Sequence, residues 1–198
     1  MASPTHAFED AHLVADVLLP SDAVPEGLKI TPTKLPHKTD IVIVETGEES
    51  LADCDALVTA NRAFSLGMRT ADCAAICFGD GEKIGVAHAG WRGLCLGMVE
   101  KMLGHFSSST VTIYVAPFLH SFEIQKDFCY DQIQQKFGDR FITEDSGKTV
   151  FQFKEAIASL VPPNAIFDER STATDLSLPS YRRDKTAERL LTVVRFPA

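Results

Sequence analysis

Cys73 and His88 stand fifteen positions apart, each inside a short distinctive phrase: Thr70-Ala71-Asp72-Cys73, and His88-Ala89-Gly90-Trp91-Arg92-Gly93. A thiol beside an imidazole is either a nucleophile with its general base or half of a soft metal site. Both readings need the two side chains held at the ends of neighbouring strands. The segment between them supplies that geometry. Two apolar runs, 74–78 and 83–87, flank Gly79-Asp80-Gly81, and glycine tolerates the positive φ of a tight hairpin turn, so Cys73 and His88 are expected to flank one hairpin.

Around this pair the chain alternates between strand and helix signals. Strands are expected over 41–44, 56–59, 64–68, 111–115, 165–167 and 190–196, from their β-branched and apolar runs. Leu94, Met98, Met102 and Phe106 recur every four residues, with Val99 and Leu103 widening the stripe, which predicts an amphipathic helix. Further helices are expected over 127–137 and over 150–160, the latter stopped by Pro162-Pro163. Several neighbouring strands can pair as hairpins and no strict βαβ rhythm appears, so an α+β sandwich is expected rather than a doubly wound sheet.

Composition narrows the partners. With 198 residues and 45% hydrophobic content, the chain suits one compact unit. Its 19 basic and 27 acidic residues give a net charge of −8, which repels a nucleic-acid backbone. The apolar run 13–19 is interrupted by Asp16 and too short to span a bilayer, so no membrane partner and a cytosolic location are expected. Five cysteines at irregular spacings, Cys54, Cys73, Cys77, Cys95 and Cys129, read as free thiols rather than a disulfide framework.

Three phrases in order, Ala52-Asp53-Cys54-Asp55-Ala56-Leu57-Val58-Thr59, Leu66-Gly67-Met68-Arg69-Thr70-Ala71-Asp72-Cys73 and Val86-Ala87-His88-Ala89-Gly90-Trp91-Arg92-Gly93, resemble the core signature of the YfiH family. Ser180-Tyr181-Arg182-Arg183-Asp184 is similar to its closing motif, and the resemblance covers residues 36–194. Members of that family are called multicopper polyphenol oxidoreductase (laccase), purine nucleoside phosphorylase or peptidoglycan editing factor. The resemblance implies a four-layer α/β/β/α sandwich with mixed sheets, a fold shared with the cytotoxic necrotizing factor toxins. It also implies a zinc site made by His37, Cys73 and His88. Two imidazoles and a thiolate leave a fourth tetrahedral position open, as catalytic zinc sites do.

The chemistry implied is phosphorolysis or hydrolysis of a purine nucleoside, or removal of the adenine amino group. Asp72 is the candidate proton-shuttling carboxylate, with orientation of His88 as its alternative role. Arg69, Arg92 and Arg182 carry forked guanidiniums suited to phosphate, and Trp91 offers a ring on which a base can stack. A cysteine amidase or deamidase with Cys73 as nucleophile and His88 as base is the alternative, including peptidoglycan-precursor editing. A non-catalytic binding module is a third reading. Copper binds such ligands tightly, but dioxygen reduction by a copper cluster consumes many histidines in His-x-His pairs, and this chain has six histidines and no such pair. The chain departs from the family pattern in a shortened N-terminal part without the usual arginine-and-glycine loop, in Lys38 after the first histidine, and in Ala116-Pro117 for a Gly-Pro loop that brings His120 near the pocket.

Overall fold

The computed structural model describes residues 5–107 and 109–198. Two large sheets make the frame. One has the order β1-β2-β14-β6-β3, joining β1 (Thr5–Glu9), β2 (Val14–Leu18), β14 (Leu190–Arg195), β6 (Leu66–Thr70) and β3 (Lys29–Ile30). The other has the order β13-β9-β7-β8-β5-β4, joining β13 (Ile166–Phe167), β9 (Thr112–Val115), β7 (Ala74–Gly79), β8 (Ile84–Ala89), β5 (Ala56–Thr59) and β4 (Ile41–Ile43). Both sheets mix parallel and antiparallel pairs, since β3 runs parallel to β6, and β4 parallel to β5.

The alternation of side chains along a strand divides the core in two. Ala75 and Cys77 of β7, with Ile84 and Val86 of β8, meet Ala15, Val17, Leu66, Met68, Leu190 and Val194 between the sheets. Their neighbours Ala74, Ile76, Phe78, Ala87 and Ala89 point the other way, into a second core under the helices. Strands buried on both faces read as continuous apolar runs. That is why β7 and β8 stand out in the sequence.

The helical layer is built from α1 (Trp91–Cys95), α2 (Met98–Leu103), α3 (Phe128–Phe137) and α4 (Phe153–Ala158). The expected helix at 94–106 is divided, because Gly97 adopts φ 86° and ends the first helix while capping the second. Asp127 caps α3 by accepting from the Cys129 N–H, so the expected helix there begins one residue late. The helix expected over 150–160 starts only at Phe153. Its first residues belong to β12 (Lys148–Phe151), which pairs with β11 (Ile142–Asp145) through a Ser146-Gly147 turn whose two residues both have positive φ, and with β10 (Phe122–Glu123). A single turn, α5 (Tyr181–Asp184), is capped by the Ser180 hydroxyl, which accepts from the Arg183 N–H. On the outer face of the five-stranded sheet, Leu18, Leu191 and Val193 are covered by Leu28 and Ile30 rather than by a long helix. No helix among the described residues is long and apolar enough to cross a membrane.

Candidate metal centre and active site

The polypeptide passes from one sheet to the other between β6 and β7, and Cys73 lies at that crossing, immediately before β7. His88 lies near the end of β8, opposite Ala75, so the β7–β8 hairpin does bring thiol and imidazole to one edge. His37 arrives from the loop before β4. The donor atoms of His37, Cys73 and His88 all lie within 4.8 Å of one another. The two imidazoles meet edge to face, their centroids 4.7 Å apart at 87°.

One carboxylate holds both histidines. The register of β5 against β8 puts Asp55 opposite His88, and the Asp55 Oδ1 lies 2.9 Å from His88 Nδ1. The same carboxylate accepts the backbone N–H of His37 at 3.0 Å and of Lys38 at 2.6 Å. Those bonds fix a loop in which His37 has φ 58°, a conformation that few residues other than glycine adopt. His37 Nδ1 is 2.8 Å from the Leu35 carbonyl, so it donates there. With both Nδ1 atoms engaged on partners behind the site, the Nε2 atoms are the ones free to face Cys73, the arrangement in which outer hydrogen bonds orient ligating imidazoles.

The electrostatics follow from this packing. Burial pushes the Cys73 thiol up, but the His88 charge and hydrogen bonds from His37 and His88 outweigh it and bring the pKa down to about 6. Burial pulls His88 down, while the thiolate and Asp55 together raise it to about 9. His37 is also raised, chiefly by its hydrogen bond with Cys73. Asp55 is held below its usual range because the bonds from His88, Lys38 and His37 exceed the cost of its burial. The resting pair is a thiolate beside an imidazolium.

A soft cation fits this donor set. Gly90, the residue after β8, leaves the necessary room: a Cβ there would lie 3.2 Å from Cys73 Sγ, 3.6 Å from His37 Cδ2 and 3.7 Å from His88 Cε1. Its φ of −90° is open to any residue, so space rather than backbone freedom calls for glycine. The three donors open onto a cavity of about 500 Å³, the size of small-molecule sites.

Arg69, Trp91, Arg92 and Arg182, singled out from the sequence, all line this cavity. The Arg92 guanidinium lies 5.1 Å from the Trp91 ring centre, and Trp91 packs edge-on against Phe128. Arg182 lies 4.1 Å over Phe122. Asp72 also borders the cavity, but His88 is oriented by Asp55 and not by Asp72. The Asp72 Oδ1 accepts the hydroxyls of Thr172 and Ser180, both at 2.7 Å, and its Oδ2 accepts the Arg182 N–H at 2.7 Å. Those bonds assign it to holding the closing segment against the crossing. His120 falls outside the cavity lining; its ring packs on Phe118 with centroids 5.0 Å apart. Asp55 and Arg189 went unassigned in the sequence. The phrase Asp53-Cys54-Asp55 was legible, and aligning its strand antiparallel to 84–89 is the signal that pairs Asp55 with His88.

Comparisons with known proteins agree with this architecture. Residues 23–196 match the family described as multi-copper polyphenol oxidoreductase laccase. A purine nucleoside phosphorylase of Aquifex aeolicus is 35% identical over 149 residues, covering 71% of this chain and 69% of that protein. The purine nucleoside phosphorylase YfiH of Escherichia coli is 28% identical over 142 residues, and the match spans 63% of this chain and only 56% of the relative. Among solved structures, Bacillus licheniformis YfiH superposes with a TM-score of 0.78 at 17% identity, covering 93% of each chain. YlmD from Geobacillus stearothermophilus superposes with 0.77 at 18% identity, over 99% of this chain and all (100%) of that one. The chain belongs to the multi-copper polyphenol oxidoreductase laccase family, the YfiH family.

Proposed function

We propose that this chain is a zinc-dependent purine nucleoside phosphorylase whose metal is held by His37, Cys73 and His88. The observation that carries the reading is the convergence of those three donors, within 4.8 Å of one another, on a cavity lined by arginines and a tryptophan. Held there by His37, Cys73 and His88, zinc would supply a Lewis acid. The chain's own residues do the rest. Asp55 and the Leu35 carbonyl hold the imidazoles in one tautomer and one orientation. Arg92 and Arg182 hold phosphate beside the ribose, Arg69 reaches the cavity from the sheet, and Trp91 packs on the purine. Leu119, Phe122 and Phe153 close the wall and exclude water. Phosphate attacks the ribose C1′, the glycosidic C–N bond breaks, and its electron pair leaves on the purine nitrogen, which takes up a proton. The names of the relatives support this substrate class.

The test is a product assay on zinc-loaded protein. Free base and ribose 1-phosphate should form from inosine or adenosine only when phosphate is present. Base released without phosphate indicates hydrolysis, and inosine accumulating from adenosine indicates deamination; the absence of all three products overturns the reading. Oxidation of phenols by a multicopper cluster finds less support, because His37, Cys73 and His88 form the single three-ligand group among the described residues. Copper would nonetheless compete for these ligands.

The thiolate beside an imidazolium favours a second reading, a cysteine amidase in which the Cys73 thiolate attacks the carbonyl and the His88 imidazolium, already holding the thiol's proton, gives it to the leaving amine. Under that reading a chelator preserves activity and iodoacetamide abolishes it. The zinc reading requires the chelator to abolish it.

A further inference from the structure

The cationic charge around the cavity exceeds what one phosphate needs. Arg69, Arg92, Arg182 and Arg189 line it together with Lys34, in a chain whose net charge is −8. The arginine ion pairs among the described residues belong to Arg170, Arg183 and Arg195, and none to these four. Arg92 rests on Trp91 and Arg182 on Phe122, with a long 3.5 Å contact to the Glu123 carbonyl. Arg189 donates to the Thr186 and Glu188 carbonyls, which are neutral.

The fold sorts these four into two pairs. Arg92 and Arg182 sit on the first turns of α1 and α5, beside the aromatic wall. Arg69 lies in β6 of the five-stranded sheet, and Arg189 in the segment immediately before β14. Arg69 in β6 faces Leu191 in β14, and Arg189, just before that strand, lines the same cavity as Arg69. Like charges gathered on one cavity wall repel each other unless an anion lies between them. Both arginines also line a smaller adjoining cavity of about 260 Å³, walled by Leu18, Leu19, Val24 and Leu191. The carboxylate in that wall, Asp22, has one oxygen held by the Leu19 N–H at 2.7 Å and forms no ion pair with either arginine.

We infer that Arg69 and Arg189 form a second anion site for a phosphate carried by the substrate itself, so that the enzyme takes a purine nucleoside monophosphate in preference to the neutral nucleoside. The inference rests on the purine reading of the cavity. It leaves Arg92 and Arg182 for the attacking phosphate and gives Arg69 and Arg189 the counter-charge that the protein does not supply.

Trp91 is the single tryptophan of the chain and lines the cavity, so its fluorescence reports binding directly. Zinc-loaded protein is titrated with adenosine, adenosine 5′-monophosphate, ribose 5-phosphate and inorganic phosphate. The monophosphate should bind at least about tenfold tighter than adenosine at 50 mM salt, and most of that advantage should vanish at 500 mM, where exposed charges are screened. In the Arg69→Gln/Arg189→Gln protein the ratio should fall below threefold, and in the single variant Arg189→Gln it should lie between. The salt series on the unaltered protein gives a reading that no folding defect can affect. Equal binding of the two purines, or an advantage that survives the double substitution, overturns the inference. So does saturation by adenosine plus free phosphate at the strength of the monophosphate, which would give these arginines to the free anion. Ribose 5-phosphate binding as tightly as the monophosphate, and still lost in the double variant, rejects the purine reading while upholding the anion site.

Discussion

At the scale of the residue, the site depends on Asp55, whose carboxylate gathers His37, Lys38 and His88 at once. Cys73 has a pKa near 6 because the imidazole charges beside it outweigh its burial. Its thiolate is therefore formed as the pH rises through about 6, and protonation removes it below that value. In protein stripped of metal, the rate of alkylation of Cys73 by iodoacetamide should reach half its plateau near pH 6, whereas an ordinary thiol is still rising at pH 8. Asp55→Asn removes one of the two charges, beside that of the Cys73 thiolate, that favour a protonated His88, so the midpoint should move upward toward 9; thiolate absorbance at 240 nm provides the independent readout. A midpoint of 8 or above in the unaltered protein would refute the ion pair. Much of this site was legible from the sequence because Cys73 and His88 are close in the chain and flank one hairpin. Asp55 was not, because its partnership with His88 arises from the β5–β8 ladder across thirty-three positions. Orientation of His88, the alternative role expected for Asp72 beside the cysteine in the chain, falls to the distant Asp55.

At the scale of the element, the crossing from β6 to β7 must turn sharply from one sheet into the other while presenting Cys73 to the cavity. Asp72 adopts φ 77° there, a conformation that aspartate tolerates better than most residues. Its carboxylate then accepts three bonds from the segment carrying Thr172, Ser180 and Arg182, and its carbonyl accepts the Leu119 N–H at 2.9 Å. Hydrogen bonds to a charged group contribute about 1.5–3 kcal/mol each and are not additive. Asp72→Ala should cost roughly 3 kcal/mol in denaturant unfolding and open the 171–184 segment to limited proteolysis, since alanine also strains at this φ. A loss under about 1 kcal/mol would remove Asp72 from this structural role. Local signals in the chain predicted the elements unevenly for identifiable reasons. The helix expected over 127–137 matches α3 to within a residue. The stripe from Leu94 to Phe106 is helical as far as Leu103, and the positive φ of Gly97 divides it. Thr149, Val150 and Phe151 fit a strand as well as a helix, and only pairing with β10 and β11 decides between them. The strands β1 and β2 carry polar residues such as His6 and Asp16, and become strands because β1 pairs with β2 and β2 with β14.

At the scale of the whole molecule, the three donors come from parts of the chain that the fold must bring together: the loop before β4, the crossing between the sheets, and β8 within the helix-covered sheet. A cation that joins them binds the native state and not the unfolded chain, so its binding free energy adds to stability. At a zinc concentration about one hundred times its dissociation constant this linkage contributes about 2.7 kcal/mol. For a chain of this length about 1 kcal/mol shifts Tm by roughly 2–4 °C, so removing the metal should lower Tm by about 5–10 °C. The sign is fixed, because a ligand held only by the native state can only raise Tm. Cys73→Ser weakens the soft donor while nearly preserving the shape of the site, and should lose most of that shift on addition of zinc. Scanning calorimetry on matched apo and zinc-loaded samples of both proteins measures the difference. An equal shift in the two would mean that the ion binds elsewhere, perturbing the fold without engaging the thiol at the crossing of the sheets.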